Sequence, residues 1–228
     1  MFNNKRYKDI FSQYIYKGEP TPISIGSLVV LGFCFVLLII ATFSQIDIPI
    51  PNFQGETKSV SYMPTIPIMI FIIYLLGRNF SIILFTLYLL IGLFWLPIFL
   101  FGGGIENFQN YIFGYFLGFL PAIIISGTIL NICQNIKARL LSAILGVFSI
   151  HITGLIYCLV LTIFKVINFS IIVPIFQALT LHRFLYDLLF SVIIILVAPY
   201  IKNIFWICMK PKMDRKKQKL IDTRNYPA

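Results

Sequence analysis

Arg183 and Asp187, a guanidinium and a carboxylate four positions apart, define the chemistry to look for. On a helix that spacing puts both side chains on one face. Such a pair either closes on itself as an ion pair or divides its work. In the second case the carboxylate accepts a ligand's N–H groups while a basic neighbour receives a carboxylate. Few other polar residues are expected on the same side: Asp47, Glu56, Glu106, Asn107, Gln109, Asn110, Gln177 and His182. Ionisable groups beside apolar spans are costly to keep there and so mark candidate sites.

A second group lies mid-chain. Tyr88, Trp95, Asn107 and Tyr115 bracket three consecutive glycines, Gly102, Gly103 and Gly104. Rings, hydroxyls and an amide around an apolar stretch are the usual lining of a small-molecule pocket. Tyr88 and Tyr115 suit ordinary interior packing equally well, and Trp95 an interfacial belt. His151 lies within an apolar run, where a lone histidine bonds a neighbouring helix; alternatively it lines a cavity together with Tyr157. The three glycines between apolar runs imply a sharp bend or a close backbone approach. At membrane depth such backbone persists only where protein or a watery cavity satisfies its polar groups. A re-entrant or capping outer loop is therefore expected at Gly102–Gly104.

Motifs for catalysis are missing. The sequence holds no acidic pair cluster, HExxH, GxSxG or phosphate-binding glycine-lysine loop. Cys34, Cys133, Cys158 and Cys208 lie far apart with no metal-ligand spacing. Neither enzyme activity nor a cofactor is expected. With no ATP-binding motif, active transport would draw on a partner or an ion gradient.

The elements that must carry these residues are membrane spans. Of 228 residues, 59% are hydrophobic and only 11% charged, with a mean hydropathy of +0.91; soluble domains carry about 25% charged residues. A span takes ~20 apolar residues. The runs that qualify are Ile23–Phe43, Val60–Leu76, Phe80–Leu100, Tyr111–Cys133, Leu140–Phe164 and one from about Phe184 to Lys202. The turn formers of Gln45–Ser59 predict a loop, and Gly77-Arg78-Asn79 a tight turn. Val166–Leu181, interrupted by Asn168, Pro174 and Gln177, reads as an interfacial segment or partial helix.

Charge fixes the orientation. With six spans, only Lys58, Lys165 and Arg183 of the 18 Lys and Arg fall opposite the termini. The positive-inside rule then makes the termini cytoplasmic. The expected division is a cytoplasmic tail over 1–20, a six-helix membrane domain over 21–207 and a basic cytoplasmic tail over 208–228. The first 20 residues contain no apolar core for a cleavable signal. The net charge of +10 is concentrated in that last tail, which suits anionic lipid rather than nucleic acid.

The run Tyr88–Phe119, with its Leu96-Pro97-Ile98-Phe99, glycine cluster and Gly114-Tyr115-x-x-Gly118-Phe119, resembles the BioY family. These are the biotin-specific S components of energy-coupling factor (ECF) vitamin transporters. The likeness extends over about Ile48–Lys202. It implies an all-α membrane protein of six transmembrane helices with a glycine-rich outer loop. It also implies biotin as substrate, and a transmembrane coupling protein and ABC-type ATPases encoded elsewhere as partners, in the plasma membrane.

The family's last helix begins Pro-Gly-Asp-x-x-Lys, whose Asp and Lys bind biotin. By this resemblance Asp187 takes the Asp position, preceded by Leu185-Tyr186, while Phe190 stands at the Lys position. Either Arg183 replaces that lysine or the substrate is another small vitamin. The family's Gly-Pro-Thr is replaced by Asn110-Tyr111-Ile112. The first span offers Ser24, Gly26, Ser27 and Gly32 where the family docks its partner through spaced alanines. Outside transport, the alternative is a membrane assembly or scaffold protein. The site set expected on these grounds is Asp187, Arg183, Tyr88, Trp95, Gly102, Gly103, Gly104, Asn107, Tyr115 and Tyr157.

Overall fold

The structure, a computed structural model, describes residues 25–51, 57–100 and 102–209. Both expected tails, Ser24 and Glu56 lie outside the described residues, except for the last turn of the final helix. The chain is mostly helical. Helix α1 spans Ile25–Phe43, α2 Thr65–Phe94, α3 Tyr111–Leu117, α4 Phe119–Ile132, α5 Ile136–Ile163, α6 Ile172–Ile175 and α7 His182–Met209. Four helical stretches are long and apolar enough to cross a membrane: Thr65–Phe94, Tyr111–Ile132, Ile136–Ile163 and Phe169–Ile204. Leu28–Phe43 is a shorter apolar helix.

Within α2 the backbone leaves helical geometry at Gly77, with φ 75° and ψ 175°. That left-handed φ suits glycine. The chain reverses there. Thr65 Oγ1 donates to Ala41 O at 3.4 Å, and Tyr88 Oη meets Thr42 Oγ1 at 3.0 Å, so both ends of α2 return to the end of α1. A straight helix would hold those ends about 35 Å apart, at 1.5 Å per residue. Across the reversal Ser81 Oγ reaches Ile72 O at 3.5 Å. The tight turn expected at Gly77-Arg78-Asn79 is thus present, and it divides α2 into two helical arms.

Three expected boundaries shift. Gln45–Ser59 is not simply a loop, because its described residues pair as antiparallel strands, β1 Ile46–Pro51 with β2 Thr57–Tyr62. Pro49 and Pro51 fit because each strand of a two-stranded ribbon has a free edge that asks no N–H of them. The second helix starts at Thr65, with Pro64 at the N-cap position and no side-chain cap bond, rather than at Val60. The third run stops at Phe94 instead of Leu100, since Pro97 disfavours helical backbone in the residue before it.

Side-chain caps set other starts. Asn110 accepts from Ile112 N at 3.0 Å, and Asn135 accepts from Ala138 N at 2.7 Å, which moves the fifth run's start back to Ile136. Residues 169–181 form 3-10, α and π turns leading directly into α7. The partial helix expected there is therefore continuous with the last span.

Helix α5 packs against α3, α4 and α7, while α2 packs against α1, α4 and α7. The α3–α5 contact is close. A Cβ added to Gly118 would lie 2.8 Å from Ile150 Cα, and one on Gly154 2.7 Å from the Tyr115 ring. Small residues permit such approach where lipid supplies no hydrophobic drive between helices.

Candidate functional site

Where α7 faces β2, α3 and α5, the structure holds a cavity of about 70 Å³. Its polar wall consists of Thr42, Thr65, Tyr115, His151, Arg183 and Asp187. Met63, Leu100, Phe116, Phe119 and Leu179 make much of the rest apolar. Known ligand sites measure ~300–1,000 Å³, so this cavity is smaller than such sites.

Asp187 organises the polar end. Only 2% of its surface is exposed, and both carboxylate oxygens have partners. Tyr62 Oη donates to Oδ1 at 3.0 Å, and His151 Nε2 lies 3.2 Å from Oδ2. Burial, and then the Asp187 charge beside it, push the Tyr62 hydroxyl far above its ordinary range, so it remains a donor. A buried charge is tolerable when paired and hydrogen-bonded. Helix α7 contributes Asp187, α5 contributes His151 and the end of β2 contributes Tyr62; three separate elements meet on one carboxylate.

Arg183 shares the Asp187 face of α7, as the spacing requires, but the two form no ion pair within 4.0 Å. Its Nη2 instead donates to Ser61 O at 2.9 Å. Arg183 and Asp187 therefore tie successive residues of β2, Ser61 and Tyr62, to one turn of α7. Tyr115 completes this end, with its hydroxyl 2.8 Å from Thr180 Oγ1 and its ring edge-on to His151 at 5.8 Å.

The remaining expected residues are placed otherwise. Tyr88 is fully buried in the core, bonded to Thr42 and to Ile98 O and surrounded by Phe35, Phe85, Phe99 and Phe116. Trp95 is 84% exposed and does not touch the cavity. Tyr157 packs against Gly114 and bonds Phe108 O, also away from the cavity wall.

The glycines pack back onto α2. Gly104 N donates to Gly92 O at 3.1 Å, and a Cβ on Gly103 would come within 2.9 Å of both Gly92 O and Leu96 O. Gly102 and Gly104 adopt φ of 91° and 108°. Asn107 Nδ2 fastens this turn by donating to Gly104 O at 3.0 Å. A smaller pocket beneath includes Asn107 and shares Leu100, Ile112 and Phe116 with the main cavity.

Sequence reasoning missed Tyr62, Thr42 and Thr65. Tyr62 lies just beyond a segment read as a loop, and nothing in its spacing links it to Asp187, 125 positions away. His151, expected to bond a neighbouring helix or to line a cavity with Tyr157, bonds α7 and lines the cavity without Tyr157. Phe190, at the expected lysine position, stacks obliquely on Tyr62 with ring centroids 5.3 Å apart.

No group of three or more potential metal ligands occurs among the described residues. A search of curated proteins found no match. Among solved structures the chain is similar to the crystal structure of the S-component for biotin from an ECF-type ABC transporter. The TM-score is 0.57 and the identity 18%, over 89% of this chain and 95% of that one. At that identity the likeness establishes a shared fold. The profile described as "BioY family" matches residues 19–206. That match covers most of the length, and the chain belongs to the BioY family.

Proposed function

We propose that this protein is the substrate-binding membrane subunit of an ECF-type vitamin transporter and that its substrate is biotin. The observation that carries the reading is a largely apolar cavity with a buried carboxylate and a guanidinium at its polar end. A cyclic urea on an aliphatic acid asks for acceptors for its N–H groups, which that end supplies, and for an apolar lining around its rings and chain, which Met63, Leu100, Phe116 and Phe119 supply. Asp187, Arg183 and Tyr115 line the cavity, while Gly102–Gly104 and Asn107 brace the loop that carries Leu100 to its wall.

On this reading the reversal at Gly77 divides Thr65–Phe94 between two passes, which with α1, the α3–α4 pair, α5 and α7 would make six. The membrane domain then runs over 21–207 between tails at 1–20 and 208–228, with both termini cytoplasmic in the plasma membrane. The subunit captures substrate outside and reorients against a transmembrane coupling protein driven by ABC-type ATPases. Phe190 in place of a lysine favours a second reading, an S component for another small vitamin. Mass spectrometry of small molecules that co-purify with the protein tests both. Recovery of biotin supports the first, and recovery of a different vitamin replaces it.

A further inference from the structure

One cavity-lining residue carries a buried nitrogen without a partner among the described residues. His151 is 3% exposed and lines the cavity, and its Nδ1 is buried with no hydrogen-bond partner among the described residues. Buried polar atoms normally have partners, and one without calls for an explanation. The ring's pose is constrained on several sides. Nε2 is held by Asp187 at 3.2 Å, while Tyr115 and Phe184 meet the ring edge-on at 5.8 and 5.3 Å.

Where Asp187 is ionised its Oδ2 only accepts, which puts a ring proton on Nε2 and frees Nδ1 to act as a lone-pair acceptor. Asp187 already receives Tyr62 and His151, one on each oxygen. Besides the remaining lone pairs of that carboxylate, the imidazole of the cavity-lining His151 then offers a second acceptor.

We propose that His151 Nδ1 accepts a ureido N–H of the ligand, so that His151 is a specificity residue and Asp187 positions it. This rests on the biotin reading of the cavity and extends it to a residue outside the Arg183–Asp187 pair. The site then selects a ligand with an N–H donor at this position, such as a cyclic urea, over one in which that donor is blocked.

The test uses the full chain in lipid nanodiscs, with biotin and the two biotins methylated on one or the other ureido nitrogen as probes. Wild type should bind biotin about ten- to hundredfold more tightly than one methylated isomer, the discrimination of a single buried hydrogen bond. In His151→Phe, which keeps a ring between Tyr115 and Phe184 but has no acceptor, that ratio should collapse to about one. His151→Met, also without an acceptor, is read the same way if the Phe variant fails to fold. Both variants keeping the wild-type ratio while losing affinity for all probes equally would overturn the role of His151 and leave biotin binding intact. Wild type that binds no biotin would overturn both this inference and the function it rests on.

Discussion

The Tyr62 hydroxyl donates to the Asp187 carboxylate at 3.0 Å across 125 residues of sequence, and this bond joins the β1–β2 hairpin to the last helix. The same carboxylate lines the cavity and holds His151, so the hairpin and the site share a fastening. Tyr62→Phe should leave a buried oxygen short of its donor and cost ~1–3 kcal/mol. The variant should melt at a lower temperature, with amide exchange in 57–62 accelerated more than in α5. An unchanged exchange rate there would remove Tyr62 as the fastening.

Asp187→Asn retains shape but weakens what both Tyr62 and His151 bind. Biotin affinity should fall about tenfold to hundredfold, and Asp187→Ala at least as far. Titration calorimetry on the two variants checks this. Wild-type affinity in the alanine variant would rule Asp187 out of the site.

Arg183 separates two roles. If it receives the ligand carboxylate, Arg183→Ala should weaken biotin by ten- to hundredfold, as for charged hydrogen bonds of ~1.5–3 kcal/mol, and should weaken biotin amide much less. If its work is the bond to Ser61 O, both ligands should lose alike and hairpin exchange should rise. Equal losses for the two ligands reject Arg183 as the carboxylate partner.

The glycine turn yields two distinct expectations. Gly103→Ala puts a methyl within 2.9 Å of two carbonyl oxygens, and overpacking of that kind costs about 1–3 kcal/mol. Gly102→Ala meets nothing within 4 Å, so its cost is only that of a left-handed φ of 91°, about 1–2 kcal/mol. Thermal melts of the purified variants should rank Gly103→Ala the less stable.

Topology is open to labelling. In a background lacking the exposed Cys133, Glu106→Cys should react with an impermeant maleimide from outside intact cells. Lys137→Cys should react only after lysis. The reverse pattern would invert the proposed orientation.

Sequence alone determined what depends on local composition. Apolar runs of about span length, the glycine at the Gly77 turn and the bias of Lys and Arg gave the helices, the reversal and the proposed sidedness, since lipid rewards these features run by run. The Arg183–Asp187 spacing likewise gave a shared helix face, because helical geometry alone sets it. Sequence did not determine the partners of those two residues. Spacing allows the two to pair with each other, yet the fold brings β2 and α5 against them, and Asp187 bonds Tyr62 and His151 while Arg183 bonds Ser61. Nor did it separate the tyrosines: in so aromatic a chain, Tyr88 in the core and Tyr115 at the cavity have equivalent surroundings in sequence. The difference arises from which helix packs beside each, and close packing between helices distant in sequence is a property of the assembled bundle.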